Sequence, residues 1–158
     1  MEITPTRLKE LFHYDPITGS LTWRVSKGRA RAGSKAGSVR KDGYVQVRIS
    51  GKFYYVHRIA WAIMTGSWPD HLVDHRNTNP SDNRWENLRA ATITQNHANK
   101  YGYSETGFKG VRPDKKKWMA RIGVNGKTRY IGSFDTPEEA NAAYLEAATR
   151  NFGEYARG

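Results

Sequence analysis

The sequence predicts an α+β fold of short helices and hairpins, and three kinds of local signal lead to this prediction. Apolar and polar residues alternate over several short stretches, which is typical of strands with one buried face. Two of these stretches are joined by Asn125-Gly126, a strong signal for a hairpin turn. Thr92 and Thr136 each open a segment with helical spacing and are candidate helix caps.

The N-terminal region, residues 1–42, is predicted to form a short helix, a strand and a basic loop. The helix spans 3–13, with Thr4 as its N-cap and a proline at its first position. A short strand is expected at 21–23. Residues 27–42 are mostly Gly, Ser and basic residues, so we expect a loop that is mobile without a partner.

The central region begins with a predicted hairpin and helix. Strands at 43–49 and 52–56 are joined by Ser50-Gly51, and a helix at 57–65 ends at Gly66.

A second pair of short strands, at 72–75 and 87–91, flanks a polar loop rich in Asn, Asp, Ser and Pro. Thr92 and Gln95 have the spacing of a capping box, which predicts a helix running to about Lys100.

The pattern changes after a predicted linker at 101–106. Three strands are expected, at 108–112, 118–124 and 127–134. Their turns fall at Pro113-Asp114 and Asn125-Gly126. Thr136 then caps a helix with an apolar face that can lie on the sheet, formed by Ala140, Ala143, Tyr144 and Ala147.

The composition excludes several classes of function. The 158 residues include no cysteine, which rules out disulfides, Cys-ligated zinc, iron–sulfur clusters and thiol catalysis. No apolar run approaches the roughly 20 residues of a membrane span. The N-terminus lacks the pattern of a secretory signal. We therefore expect a cytoplasmic protein that is not secreted and has no membrane partner.

The distribution of charge points to a long polyanion. The chain carries 26 Lys and Arg against 15 Asp and Glu, a net charge of +11. Residues 24–58 have a net charge of +9 and residues 107–134 of +7, whereas residues 59–100 between them are neutral. Two separate basic clusters around a neutral centre favour a nucleic acid as the partner over a merely solvated surface.

The neutral centre holds the side chains that hydrolysis of a phosphodiester requires. His75 can activate water as a general base, and Asn87 can hold its imidazole in one tautomer. Asp74 and an oxygen from the following helix can hold a metal ion. An isolated Asp-His pair would more simply be a polar pair beside a buried strand; its spacing to Asn87 and Asn96 between two basic segments favours a site.

This centre resembles the HNH endonucleases of phages and introns. The resemblance covers residues 43–100 and rests on four motifs: Val56-His57-Arg58, Val73-Asp74-His75, Asp82-Asn83-Arg84 and Glu86-Asn87-Leu88-Arg89. It implies a ββα-metal core at about 72–100 and divalent-metal-dependent DNA cleavage. In that pattern His75 is the first His, Asn87 the central Asn and Asp74 the metal-ligand carboxylate.

Asn96 takes the place of the final His of the family pattern, as in a known HNN subgroup. An Asp and an Asn oxygen form a hard donor pair that suits Mg²⁺ or Mn²⁺ better than Zn²⁺ or Ni²⁺. We expect no structural zinc. His97 is an alternative to Asn96, although it points about 100° away around the helix.

Residues 107–158 resemble the Apetala/ethylene-response-factor DNA-binding domain. The motifs are Gly107-Phe-Lys-Gly-Val-Arg112, Tyr130-Ile-Gly-Ser-Phe134 and Thr136-Pro-Glu-Glu-Ala. The resemblance implies that a three-stranded sheet lies in the major groove and that its contacts come from Lys109, Arg112, Arg121, Thr128, Tyr130 and Ser133. Base preference cannot be carried over, because Arg121 stands where plant domains usually have an acid.

The sequence therefore predicts a homing-type HNH endonuclease that nicks double-stranded DNA as a monomer or weak dimer. The N-terminal region and the first hairpin would grip the flanking duplex through Arg29, Arg31, Lys35, Arg40, Lys41 and Arg48. The alternative is a non-catalytic, sequence-specific DNA-binding regulator with a degenerate nuclease module.

Overall fold

The chain folds into two compact units, Met1–Ala90 and Ala91–Gly158. The computed structural model describes residues 3–100 and 106–157. Helices and small antiparallel sheets alternate along the chain, so the predicted α+β class is confirmed. Residues 101–105 of the predicted linker lie outside the described residues. No helix in the described ranges is long and apolar enough to cross a membrane.

The first unit opens with helix α1, Pro5–Leu11, and strands β1, Phe12–Tyr14, and β2, Leu21–Trp23. The hydroxyl of Thr4 accepts a hydrogen bond from the backbone of the first turn, as the capping signal predicted. The helix ends at Leu11 rather than residue 13, because Phe12 begins a strand that pairs antiparallel with β2.

The basic segment 27–42 is a series of hydrogen-bonded turns that includes a two-residue strand, β3, Ser38–Val39. Lys27 and Ala30 exchange backbone hydrogen bonds of 2.9 and 3.1 Å. Ala36 is buried in the core of the unit. Most of these bonds join backbone groups, which composition does not reveal, so the sequence predicted a loop without these turns; its mobility stays a prediction.

Strands β4, Val45–Ile49, and β5, Lys52–Tyr55, form the predicted hairpin, and β3 adds to its edge. Ser50 and Gly51 both have positive φ, as a two-residue hairpin turn requires. Helix α2, Val56–Thr65, follows directly and ends at Gly66 in the left-handed conformation, as predicted. Its buried face joins α1 and the hairpins in one apolar core.

Strands β6, Leu72–His75, and β7, Leu88–Ala91, pair with each other across the polar loop. The loop ends in a single 3₁₀ turn, Trp85–Asn87, so β7 begins one residue later than predicted. The N-terminal region packs on this loop. A Cβ at Gly19 would lie 2.4 Å from the backbone of Asn83 and Arg84.

The second unit contains helix α3, Ile93–Asn99, with the predicted capping box between Thr92 and Gln95. A three-stranded antiparallel sheet follows, with β9 in the centre: β8, Val111–Asp114; β9, Lys117–Val124; β10, Lys127–Phe134. Helix α4, Pro137–Phe152, starts at the predicted cap Thr136 and packs on one face of the sheet.

One prediction for the second unit was wrong in detail. Strand β8 begins three residues late and includes Pro113-Asp114, so the first turn falls at Lys115-Lys116, where Lys115 has a φ of 55°. The predicted apolar face of α4 does pack on the sheet: Ala140 and Tyr144 are buried together with Ala148, and Ala147 is partly buried against them.

Candidate active site

The candidate site begins at the end of strand β6, where Asp74 and His75 are both buried. The guanidinium of Arg89, on the paired strand β7, donates a hydrogen bond from Nε to Oδ2 of Asp74 over 2.9 Å. The two side chains are 6% and 5% exposed, so this is a buried ion pair. It fixes the orientation of the carboxylate that the sequence analysis selected as a metal ligand.

The imidazole of His75 is oriented by Asn83 in the polar loop. Its Nε2 lies 3.3 Å from Oδ1 of Asn83. The amide nitrogen of Asn83 donates to the carbonyl of Ser81 over 3.1 Å, so the amide oxygen is the atom that faces His75. Because an amide oxygen only accepts, Nε2 carries the proton and Nδ1 carries the lone pair. This tautomer makes Nδ1 the basic atom.

Two rings contact His75, and a third stacks on one of them. His57, at the start of α2, meets it edge to face with centroids 5.1 Å apart, and Tyr44 lies 5.9 Å away. Tyr55 stacks on His57 at 5.4 Å. These contacts restrict the rotation of the His75 ring and shield it from water.

Burial lowers the pKa of His75 below its ordinary value, while Asn83 and the nearby carboxylates oppose that shift. His75 is therefore a neutral base at physiological pH. Burial and the neighbouring His75 lower the pKa of His57 to about 3. In the described part of the chain the buried Nδ1 of His57 has no hydrogen-bond partner.

Asn87 does not hold the imidazole, which corrects the role suggested from the sequence. Its Oδ1 accepts from the backbone of Asn77 over 3.0 Å, and its Nδ2 donates to the carbonyl of Asp82 over 2.7 Å. Asn87 thus ties the two ends of the polar loop together. Asn83, which the loop positions, makes the contact with His75 instead.

The loop is stiffened by a second set of bonds. Arg84 donates to both oxygens of Asp82 at 2.9 and 2.8 Å, and these bonds lower the pKa of Asp82 to about 2. The hydroxyl of Tyr14, from β1, donates to the carbonyl of Asn83 over 2.7 Å. The residue that orients His75 is therefore held from two sides.

Asn83 and Arg89 belong to the motifs that resemble the HNH pattern, but no role was predicted for either of them. For Arg89 a signal was present: a charged residue in the otherwise apolar strand Leu88–Ala91 needs a buried partner. For Asn83 there was none, because several loop residues offer the same side chain and only the folded loop selects one.

The proposed second metal ligand, Asn96, lies on α3 in the second unit and is partly buried, whereas the alternative His97 is exposed. Among the described residues no three His, Cys, Asp or Glu side chains cluster as metal ligands. Asp74 supplies a buried carboxylate, and a carboxylate with an amide oxygen is a donor set that suits a hard divalent cation. The donor chemistry of Asp74 and Asn96 thus suits such an ion, and their pairing at one ion stays a prediction from the sequence.

The predicted DNA contacts of the first unit fall on its surface: Arg29, Arg31, Lys35, Arg40, Lys41 and Arg48 are all exposed. Two of them already have partners. Arg40 pairs with Asp42 over 3.2 Å and lies over the ring of Tyr55. Arg48 lies over the exposed ring of Phe53.

Five of the six predicted contacts of the second unit share the sheet face that points away from α4. Register places Tyr130 beside Arg121, Thr128 beside Gly123, and Arg112 and Ser133 on either side of Met119. The alternate residues Ala120 and Ile122 pack with the helix.

Lys109 is the exception among the six. Its ammonium donates to carbonyls at the end of α3 and does not lie on that face.

The sequence around this site matches a known protein family. Residues 54–98 match the HNH endonuclease family. The matched HNH segment runs from β5 through the Asp74–His75 pair to α3.

An uncharacterized HNH endonuclease of Acanthamoeba polyphaga mimivirus is 36% identical over 118 residues, which are 73% of this chain and 62% of that protein. The chain thus spans less than two thirds of its viral relative. No solved structure matches it. The family match and the viral relative both support the conclusion that the protein is a nuclease.

Proposed function

We propose that this protein is a divalent-metal-dependent DNA endonuclease of the homing type. The observation that carries the proposal is the buried Asp74–His75 pair, whose imidazole is fixed by Asn83 as a neutral base within the segment that matches HNH endonucleases. The charge distribution of the sequence favours DNA as the substrate, because two basic segments flank that centre.

His75 acts as the general base. Its Nδ1 removes a proton from water as the water oxygen attacks phosphorus, and the ester bond on the opposite side breaks. The departing oxygen leaves with a proton from solvent. Asn83 keeps the N–H on Nε2, so the lone pair stays on Nδ1 throughout the approach.

Asp74 and Asn96 would hold the metal ion, Mg²⁺ or Mn²⁺, which supplies positive charge to the phosphodiester oxygens when bound. The pairing of these two residues stays a prediction from the sequence. Arg89 holds the Asp74 carboxylate in place and compensates its charge within the buried site.

The second unit would select the DNA site. Its sheet presents Arg112, Arg121 and Tyr130 on one exposed face, the arrangement that an Apetala/ethylene-response-factor-like domain needs to enter the major groove. One small site makes one cut, so we propose nicking by a monomer or a weak dimer. The basic segment of the first unit would add contacts to phosphates.

The test is nicking of supercoiled plasmid with Mg²⁺, with Mn²⁺ and with chelator, for the wild type and His75→Ala. Loss of a general base typically costs about 10² to 10⁴ in rate. We expect that loss in His75→Ala, with DNA affinity unchanged in a gel-shift assay. His13→Ala, an exposed histidine on β1, is the matched control and should nick normally.

Cleavage by His75→Ala at the wild-type rate would refute the assignment of the base. Tight, sequence-specific binding without nicking by the wild type in any metal would instead favour the regulator. That alternative shares the DNA-binding surfaces and lacks only the chemistry.

A further inference from the structure

Lys109 makes an unusual set of contacts for a residue expected to touch DNA. Its Nζ donates to the carbonyls of His97 over 2.6 Å, Ala98 over 2.8 Å and Lys100 over 2.9 Å. These carbonyls lie at the C-terminal end of α3, where a helix has acceptors without intrahelical donors. An ammonium has three hydrogens, and all three are used here. None is left for a phosphate.

Partial burial of the Lys109 ammonium costs free energy, because it removes water from a charged group. Burial, together with the nearby Lys100, lowers the pKa of Lys109 to about 8. A lysine kept partly buried at this cost has a fixed position, in contrast to the exposed Lys115 and Lys116 of the turn between β8 and β9. Its position is set by α3 rather than by solvent.

A second contact holds the same end of the helix. Arg157 donates from Nε to Oδ1 of Asn99 over 3.0 Å, and Asn99 is 2% exposed. Helix α3 has seven residues, far fewer than the dozen or so that an isolated helix needs in water. Its orientation therefore depends on Lys109, Arg157 and the residues of α4 that pack beside it.

We propose that Lys109 and Arg157 are positioning residues of the nuclease: they fix α3, and with it Asn96, the residue proposed as a metal ligand. This inference rests on the proposed function, because Asn96 is its metal ligand. Hydrogen bonds that orient a metal ligand typically change metal affinity by about 10- to 100-fold.

The experiment compares Lys109→Met, Lys109→Arg and Lys116→Met in the full chain. Lys116→Met is the comparator, because it removes one charge from the exposed turn. For each we would measure the Mg²⁺ concentration that gives half-maximal nicking at saturating DNA, the DNA dissociation constant and its salt dependence. Thermal melting first establishes that each variant folds.

We expect Lys109→Met to raise the Mg²⁺ requirement by at least about tenfold with DNA affinity and salt slope unchanged. Lys109→Arg, which keeps several donors, should recover most of the metal affinity. Lys116→Met should weaken DNA binding and leave the Mg²⁺ requirement as it is. If Lys109→Met behaves like Lys116→Met, Lys109 is a DNA contact and the proposal is overturned.

A readout without catalysis separates this proposal from the proposed function. Amide hydrogen exchange of residues 93–99, and Mn²⁺ broadening of the Asn96 side-chain NMR signal, report on α3 even if the wild type never nicks. Faster exchange and weaker broadening in Lys109→Met support the positioning role. Unchanged values for both overturn it. If Lys109→Met does not fold, Lys109→Gln and Arg157→Gln undergo the same measurements.

Discussion

Arg89 and Asp74 face each other on paired strands, with Nε of the arginine 2.9 Å from Oδ2 of the carboxylate and both side chains buried. Removing water from two charges costs several kcal/mol for each ion, and the attraction between these two charges offsets part of that cost. The carboxylate proposed to bind a metal is thus built into the core of the first unit.

Arg89→Met should therefore destabilise the protein strongly. It leaves the Asp74 carboxylate buried without its ion-pair partner, and breaking a buried pair in this way costs about 3–5 kcal/mol. Urea unfolding would measure the loss. Arg7→Met is the matched control: its pair with Glu10 is more than half exposed, and we expect a change of about 1 kcal/mol or less. Equal effects from the two variants would contradict a stabilising role for the buried pair.

Asn83 variants should change the pH profile of nicking. Asn83→Ala removes the acceptor that fixes the His75 tautomer, so the maximal rate should fall at every pH. Asn83→Asp keeps an acceptor but adds a negative charge that favours the imidazolium, which raises the pKa of His75. The acid limb of the profile should then move to higher pH, since the base is consumed by protonation as pH falls.

The rate of nicking at saturating metal and DNA, measured from about pH 5 to pH 9, would show both effects. An acid limb that stays in place in Asn83→Asp would mean that Asn83 does not contact the base during the reaction.

His57 should make the first unit sensitive to acid. Its pKa is about 3 in the folded protein and 6.5 when the ring is free in water, so the unfolded chain binds the proton more readily. The contribution of His57 to the free energy of unfolding is therefore fully present above pH 6.5. It is lost as pH falls towards 3, by up to about 1.4 kcal/mol per pH unit. His57→Gln, which does not titrate, should lose stability less steeply over that range.

Urea titration at several pH values would give the unfolding free energies of wild type and His57→Gln. Their difference separates the pH dependence due to His57 from that due to the carboxylates. His13→Gln, an exposed histidine in the same unit, should leave the slope of the wild type unchanged. Parallel curves for wild type and His57→Gln would show that the buried ring is protonated without cost.

Local signals predicted most of the secondary structure, and interactions between distant residues explain what they missed. The capping box at Thr92, the helix cap at Thr136 and the Asn125-Gly126 turn involve neighbours in sequence, and all three were confirmed. Strand β8 shifted because Gly110 must turn where a Cβ would lie 2.3 Å from the carbonyl of Arg121. That contact spans a folded sheet and leaves no local pattern.

The site residues were likewise predictable only where local sequence was sufficient. Asp74 and His75 could be selected because a carboxylate and an imidazole are the groups that metal binding and general-base catalysis use. Their partners could not, since the bond of His75 to Asn83 depends on how an eight-residue separation folds. Lys109 was assigned to DNA from its position in the family motif, and only its position beside α3 shows that its hydrogens are already used.

The two basic surfaces should differ in how they bind DNA. Arg29, Arg31 and Lys35 are exposed on the turns of the basic segment, where long side chains can reach phosphates without reading bases. Replacing all three by Gln should reduce the slope of log affinity against log salt by about 0.9 for each phosphate that is no longer neutralised, with site preference unchanged. Arg7→Gln with Lys9→Gln, on α1 outside that segment, is the control and should not alter the slope.

Arg121→Ala should change site preference more than the salt dependence of binding. Arg121 lies beside Tyr130 on the outer sheet face, and that face is the one proposed to enter the major groove. A base contact is worth about 1–3 kcal/mol of discrimination, so site preference should relax while the salt slope changes by about one unit at most. Binding-site selection from a random duplex library, run at two salt concentrations, would measure both quantities. A change of preferred sequence in the basic-segment variant, with none in Arg121→Ala, would reverse the assignment and make the first unit the reader of the site.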